Sequence, residues 1–117
     1  MIFLGTDIVS ILRIKNMINL NGEAFLNRIF SKREQDYCNC KNSPWIHFSG
    51  KFAAKEAVKK ALLSSNLINK ITLSSIEILN LSNGAPDVNF IKDVPNISNI
   101  KLSISHCDEY AIGVAII

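Results

Sequence analysis

The chain has 117 residues, of which 48% are hydrophobic and 20% are charged, and its net charge is +3. These values predict one globular domain, 1–117, with a single modest core. The mild basicity suits an acidic or phosphorylated ligand, but it falls short of the clustered basic surface expected of a nucleic-acid-binding protein. Because no apolar run reaches the roughly 20 residues of a membrane span, we expect a cytoplasmic protein that contacts neither membrane nor nucleic acid.

The first half of the chain predicts a strand followed by helices. MIFLGTDIV (1–9) has apolar residues on both faces of an extended chain, which favours a strand buried on much of both faces. Residues 10–21 fit a helix or irregular structure, 23–30 predict a helix, and 31–37 predict a second short helix with Ser31 and Glu34 as its capping box. Ser43 and Pro44 supply an N-cap and a first-turn proline for a long helix that continues to about Leu63.

The second half predicts antiparallel hairpins. Residues 72–81 and 87–91 form one strand pair around the turn at Asn83-Gly84, and 101–106 and 110–117 form another around a turn at 107–109. The predicted fold class is therefore α+β, with a small antiparallel sheet packed against a long helix and shorter helices. Without C-x-x-C spacing, the cysteines are predicted to be free thiols: Cys38, Cys40 and Cys107.

The long helix has a stripe of small residues, to which another backbone can pack closely: Ala53, Ala57 and Ala61. Glu56 lies instead on a stripe of large apolar residues, where an unpaired carboxylate costs several kcal/mol. One partner for it is Lys60, four residues later, as a surface ion pair. The other is a cation shared with Asp7, which stands in the apolar opening strand. Two carboxylates with phosphate and water completing the shell suit Mg²⁺.

Three other features also leave two interpretations open. Asp7 is either a cap at the end of its strand or a metal-binding or catalytic carboxylate. His106 ends a predicted strand and is either structural or delivered into a cleft. The lysines of the long helix form either a solvated face or a phosphate-binding cradle: Lys51, Lys55, Lys59 and Lys60.

Four segments together resemble one family closely, the holo-acyl-carrier-protein synthases, which are small 4′-phosphopantetheinyl transferases. The segments are GTDIV (5–9), KFAAKEAVKKA (51–61), GAP (84–86) and SISHCDEYA (103–111), and their order and spacing match over essentially the whole chain. The resemblance implies transfer of the 4′-phosphopantetheine arm of coenzyme A to a serine of apo-acyl carrier protein, with release of adenosine 3′,5′-bisphosphate, for fatty acid biosynthesis. It also implies a homotrimer with sites between subunits.

The resemblance also implies roles for particular residues. Asp7 and Glu56 would bind Mg²⁺ together with the coenzyme A pyrophosphate. The base that takes the serine proton would be His106 or water ordered by Glu56 and the metal. The residues implied to contact coenzyme A are Lys51, Lys60, Ser64 and His106, and those implied to contact the carrier protein are Arg13, Lys15 and Arg28.

The chain departs from the family pattern at three places. Lys51 stands where members usually have arginine, so a bidentate phosphate contact is lost. LSSN (63–66) stands where a glycine-containing turn is usual, and the early helix is less basic. These departures motivate an alternative from another class, a homologue that binds coenzyme A or the carrier protein without catalysing transfer.

Overall fold

The computed structural model describes residues 1–92, 97 and 99–117. In chain order the elements are β1 (Leu4–Ser10), α1 (Ile11–Ile29), α2 (Lys32–Asn39), α3 (Pro44–Ser64), a 3-10 turn (Leu73–Ser75), β2 (Ile76–Asn80), β3 (Pro86–Phe90), β4 (Lys101–His106) and β5 (Tyr110–Ile116). An antiparallel sheet has the strand order β1-β5-β4, and β2 and β3 form a separate antiparallel pair. The predicted α+β fold with a long helix is confirmed, although the strands divide between two sheets.

Of the segment that the sequence left open, residues 11–21 are helical and belong to α1, whereas Ser10 is the last residue of β1. The Ser10 hydroxyl caps this helix by accepting a hydrogen bond from the Arg13 backbone N–H at 3.2 Å. At Gly22 the backbone leaves the helical range (φ 50°, ψ −128°), a conformation that glycine adopts readily, and α1 is kinked there. The two separate segments that the sequence predicted are therefore two arms of one kinked helix.

The N-terminal caps of the next two helices differ. The capping box of α2 is confirmed, because the Glu34 N–H donates to Ser31 Oγ at 3.2 Å and the Ser31 N–H donates to Glu34 Oε1 at 2.9 Å. Pro44 begins α3 as predicted, but Ser43 makes no side-chain cap. Its backbone (φ −126°, ψ 80°) departs from the extended conformation that Ser10 and Ser31 adopt at their helix starts.

The small stripe of α3 lies directly against the sheet, as predicted. A Cβ added to Gly113 of β5 would lie 2.7 Å from the Ala53 carbonyl oxygen, and one added to Gly5 of β1 would clash with the Ala57 carbonyl oxygen. Glycine on the strands and alanine on the helix thus let the two backbones touch. This close packing fixes β1, and with it Asp7, against α3.

The prediction that β1 is buried on much of both faces is wrong for the face that points away from α3. Gly5 and Val9 face α3 and are buried, but Leu4 is 59% and Ile8 is 63% exposed. The sheet has α3 on one side only, and the alternate residues of β1 point away from it. A single chain therefore presents an apolar sheet face to its surroundings.

A buried ion pair and its hydrogen bonds join four elements, α1, α2, α3 and β2. Lys55 Nζ of α3 lies 2.6 Å from Glu34 Oε1, and both side chains are 0% exposed. Lys55 also donates to the Ile29 carbonyl oxygen at 2.5 Å, and Glu34 accepts from the Ile78 N–H of β2 at 2.9 Å. Burial lowers the pKa of Lys55 below its usual value. Both interpretations that the sequence allowed for Lys55, a solvated face and a phosphate-binding cradle, are wrong.

The three cysteines are free in the structure, as predicted. Cys40 and Cys107 are exposed, whereas Cys38 is buried and its burial raises the pKa of the thiol from 9.0 to about 12. Cys38 is therefore a packing residue and not a reactive thiol. Among the helices of the described residues, none is both long and apolar enough to span a membrane.

Candidate functional site

Asp7 and Glu56, far apart in sequence, line one pocket of about 330 Å³. Asp7 comes from β1 and Glu56 from α3, and the close contact of these two elements brings the residues together. The remaining lining is mostly apolar: Ile8, Val9, Arg13, Ile14, Met17 and Phe52. We call this the carboxylate pocket.

The structural alternatives for the two carboxylates do not match the structure. Ser10, and not Asp7, caps the helix that follows β1. Lys60 pairs with Asp7 at 3.2 Å between Nζ and Oδ1, and it also donates to the Thr6 carbonyl oxygen at 3.0 Å. The surface pair between Lys60 and Glu56, one of the two interpretations that the sequence allowed, is not formed among the residues that the structure describes. Lys60 thus belongs beside the carboxylate pocket.

The donor atoms of the carboxylate pocket fit a magnesium ion. Carboxylate oxygens are the ligands that Mg²⁺ prefers, and one or two of them are usual when substrate phosphates and water supply the rest. Over 1–92, 97 and 99–117, no group of three or more His, Cys, Asp or Glu is placed to hold a metal. At most two side chains of one chain, Asp7 and Glu56, would therefore contribute to such a site.

His106 lies at a different place in the same chain. It ends β4, which is separated from β1 by β5, so their backbones are roughly 10 Å apart. His106 lines a pocket of about 150 Å³ that contains neither Asp7 nor Glu56 and that we call the basic pocket. Its lining residues are Tyr37, Ile46, His47, Gly50, Lys51, Asn80, Gly84, Pro86, Ile104 and His106. Within one chain, therefore, Asp7 and Glu56 line one pocket and His106, the third predicted catalytic residue, lines another.

Lys51 also lines the basic pocket, although it is only 4% exposed. Its Nζ donates to the Ile78 carbonyl oxygen at 2.6 Å and to Asn80 Oδ1 at 2.7 Å, and it lies 4.5 Å from the centre of the Tyr37 ring. Burial lowers the pKa of Lys51. The solvated-face interpretation is therefore wrong for this lysine. An ammonium group has three N–H donors, and the two protein oxygens accept from two of them.

His47 is a pocket residue that the sequence analysis missed. Its ring meets that of Tyr37 edge to face at 6.0 Å between centroids. Burial, and then the positive charges of Lys41, His106 and Lys51, lower the pKa of His47. The spacing of His47 and Lys51, four residues apart on one helix, is the signal that would have found it.

Two predicted coenzyme A contacts lie near the C-terminal half of α3. Lys60 lies beside the carboxylate pocket, whereas Ser64, the last residue of α3, is exposed and lines neither pocket. Beyond it, Asn66 takes the left-handed conformation (φ 59°). Asparagine tolerates this conformation better than most residues, so the turn forms here without the usual glycine.

The three residues predicted to contact a carrier protein lie along α1. Arg13 is in its first turn and lines the carboxylate pocket. The Lys15 ammonium lies 4.3 Å from the centre of the Trp45 ring, and Arg28 is exposed in the last turn, beyond the kink at Gly22. Because Arg13 and Lys15 are two residues apart and therefore point to nearly opposite sides of the helix, and Arg28 lies beyond the kink, the three residues do not form a compact patch.

Comparison with known proteins gives concordant results for sequence and structure. The family model described as the 4′-phosphopantetheinyl transferase superfamily matches residues 3–115. A holo-[acyl-carrier-protein] synthase of Chlamydia pneumoniae is 44% identical over 98% of this chain and 95% of the relative. One of Protochlamydia amoebophila is 41% identical over 97% and 94%.

Two solved structures of complexes with coenzyme A are also similar to this chain. The Helicobacter pylori holo-[acyl-carrier-protein] synthase in complex with coenzyme A has a TM-score of 0.79 at 35% identity and covers 96% of both chains. The Chronobacterium ammoniagenes ACPS-CoA complex has a TM-score of 0.83 at 25% identity, over 99% of this chain and 96% of the other.

Proposed function

The chain belongs to the 4′-phosphopantetheinyl transferase superfamily, and from this we propose that it is a magnesium-dependent holo-[acyl-carrier-protein] synthase. It transfers the 4′-phosphopantetheine group of coenzyme A to a serine hydroxyl of apo-acyl carrier protein and releases adenosine 3′,5′-bisphosphate. The observation that carries the proposal is the carboxylate pocket. Asp7 and Glu56 meet there in a chain that is 44% identical to a holo-[acyl-carrier-protein] synthase.

Asp7 and Glu56 would hold the Mg²⁺ ion, which when bound supplies charge neutralisation to the pyrophosphate under attack. The bond that breaks joins the phosphopantetheine phosphorus to the bisphosphate leaving group, and the bond that forms joins this phosphorus to the serine oxygen. Negative charge develops on the leaving group. Lys60, beside Asp7, is placed to neutralise it, and positioning with charge neutralisation is most of what phosphoryl transfer requires.

The basic pocket would bind another anionic part of coenzyme A. Lys51 contributes an ammonium group to its lining, and His47 and His106 add imidazole groups on the same walls. No aspartate or glutamate is among the residues that line this pocket. His106, exposed at the end of β4, is our candidate for the base that removes the serine proton.

A transfer assay tests the proposed function. Purified protein, coenzyme A, Mg²⁺ and an apo-acyl carrier protein are incubated, and the carrier is weighed by mass spectrometry. We expect the carrier to gain the mass of a phosphopantetheine group, and the gain to stop when a chelator removes Mg²⁺. If coenzyme A binds but the carrier never gains mass, the non-catalytic alternative is correct.

We also propose that the working unit is a homotrimer with sites between subunits. The carboxylate pocket and the basic pocket lie on different sides of α3, because Lys51 and Glu56, five residues apart, are separated by about 140° around the helix. One coenzyme A molecule that uses both kinds of pocket would therefore span two chains. The apolar face of the three-stranded sheet supports such an assembly.

This apolar sheet face adjoins the end of β4. A pocket of about 350 Å³ on it is lined by Ile8, Ser105, His106, Cys107, Tyr110, Ala111 and Ile112. Tyr110 and Ile112 are 47% and 38% exposed. Contiguous exposed apolar surface of this kind is typical of interfaces. A second copy placed there would meet the first next to His106.

The variant Ile112→Lys tests the sheet face as the interface. We expect light scattering to give three chains for the wild-type protein and one chain for the variant, because a lysine in the centre of an interface must be desolvated. Ile91→Lys is the matched control, since Ile91 is also about half exposed, at 51%, but lies off this face. A variant of unchanged mass, or a monomeric wild type, would contradict the assembly.

Subunit complementation tests whether one site uses two chains. Asp7→Asn and His106→Gln should each be inactive alone, because each removes one part of every site. Mixed trimers from co-expression should regain up to about a quarter of wild-type activity, since that fraction of interfaces joins an intact Asp7 to an intact His106. If the mixture is no more active than its components, the two residues do not act across an interface.

Two further parts of the proposal concern location and docking. We place the protein in the cytoplasm, a reducing compartment in which three free thiols are usual. We place the acidic carrier protein along α1, where Arg13 adjoins the carboxylate pocket and Lys15 and Arg28 follow it. A carrier bound there would have its serine close to Asp7 and Glu56.

A further inference from the structure

Lys60 contacts the same carboxylate that the proposed divalent ion would bind. Its Nζ lies 3.2 Å from Asp7 Oδ1 and 3.0 Å from the Thr6 carbonyl oxygen. The side chain of Lys60 is 53% exposed and that of Asp7 is 18% exposed. The lysine can therefore move away into solvent at small cost, while the carboxylate is held on β1.

The charges of the protein around the carboxylate pocket balance. Asp7 and Glu56 are negative, Arg13 lines the pocket, and Lys60 adjoins it. A divalent ion added alone leaves two positive charges in excess, and it would lie within a few ångströms of the Lys60 ammonium. Two such cations repel each other. A pyrophosphate diester brings two negative charges, which restores the balance.

We propose that Lys60 and the divalent ion compete for Asp7, and that the pyrophosphate ends the competition by accepting the Lys60 ammonium group. Lys60 thereby makes the metal and the nucleotide bind as a pair, and it positions the Asp7 carboxylate when no metal is bound. The proposal rests on the proposed function and adds to it a positioning role for Lys60. Because such coupling is reciprocal, Mg²⁺ raises the affinity for coenzyme A by the same factor.

Manganese titration followed by electron paramagnetic resonance measures this coupling in the whole protein. Free Mn²⁺ is recorded with and without coenzyme A for the wild type, Lys60→Gln, Lys60→Arg and Lys59→Gln, and binding of Mn²⁺ to coenzyme A alone is subtracted. We expect coenzyme A to tighten Mn²⁺ binding by the wild type at least tenfold. Lys60→Gln should bind Mn²⁺ alone roughly three- to tenfold more tightly than the wild type, with less coupling.

The two other variants separate charge competition from a structural effect. Lys60→Arg keeps the cation and should restore the coupling. Lys59→Gln should match the wild type, because Lys59 is on the same helix but forms no ion pair within the described part of the chain. Thermal unfolding of each variant shows that it is folded.

Two outcomes would overturn the proposal, and they differ in whether the metal assignment survives. If Lys60→Gln binds Mn²⁺ alone as the wild type does, within twofold, Lys60 does not compete for Asp7, and the metal assignment stands. If the wild type binds no Mn²⁺ even with coenzyme A, the metal assignment itself is wrong. The proposed competition between Lys60 and the metal is then wrong as well.

Discussion

Replacing either carboxylate of the carboxylate pocket, as Asp7→Asn or Glu56→Gln, should lower kcat/KM for carrier modification by roughly a thousandfold or more. Each substitution keeps the shape of the side chain and removes the charge that would hold Mg²⁺. A bound metal is worth several kcal/mol of transition-state stabilisation, and each 1.36 kcal/mol is tenfold in rate. The measurement is the initial rate of phosphopantetheine transfer at saturating Mg²⁺.

The control for this prediction is an exposed carboxylate elsewhere. Asp87 of β3 is exposed and lines neither pocket, so Asp87→Asn should keep wild-type activity. The unfolding free energies of the two pocket variants should stay within about 1 kcal/mol of the wild type, because the ion pair that Asp7 loses is partly exposed. Turnover near the wild-type rate in either variant would remove that residue from the site.

Glu34→Ala should lower the free energy of unfolding by about 3–5 kcal/mol, the largest loss of stability that we expect from one substitution. Lys55 would keep a buried charge without its partner, and the Ile78 N–H of β2 would lose its acceptor. The N-terminal capping box of α2 would be lost as well. Urea unfolding at one fixed protein concentration measures the effect.

Two matched variants show whether the buried charge is the cause. Adding Lys55→Met to Glu34→Ala removes both charges and should recover much of the lost stability. Asp36→Ala breaks the exposed pair of Lys32 and Asp36 on the same helix and should cost less than about 1 kcal/mol. A loss below 1 kcal/mol for Glu34→Ala would contradict the role of the buried pair.

The parts of the fold that were predictable are those set by local chemistry. The capping box of Ser31 and Glu34, the proline at the start of α3 and the alanine stripe each depend on a few neighbouring residues. The order of the helices and strands along the chain is likewise predictable from local sequence patterns. The sequence leaves only residues 10–21 open between helix and irregular structure, because Gly22, in the middle of α1, weakens the helical pattern.

The parts that were not predictable depend on tertiary contacts. Nothing in the spacing of Lys55 shows that Glu34, on another helix, lies beneath it. The lysines of α3 look alike in sequence, yet Lys51 and Lys55 are buried and Lys60 is exposed. Helical spacing suggested Lys60 as the partner of Glu56, but the approach of β1 gives it Asp7 instead.

The sequence identifies the residues of the candidate site better than it predicts where they lie relative to one another. Asp7 and Glu56 were identified as polar residues in apolar surroundings, and the structure places both at one pocket. The sequence predicts His106 at a strand end, but it does not predict that this strand is two strands away from the one that carries Asp7. That separation follows from the strand order β1-β5-β4, which pattern alone does not fix.

A crystal grown with coenzyme A and Mn²⁺ tests most directly whether Asp7 and Glu56 share one divalent ion. Anomalous scattering locates the manganese without assumptions about the protein. We predict one manganese ion per site, bound to a carboxylate oxygen of Asp7, a carboxylate oxygen of Glu56 and the pyrophosphate. The Lys60 ammonium group should donate to a phosphate oxygen. A peak bonded to neither carboxylate, or a nucleotide bound with Lys60 still on Asp7 and no metal between, would contradict it.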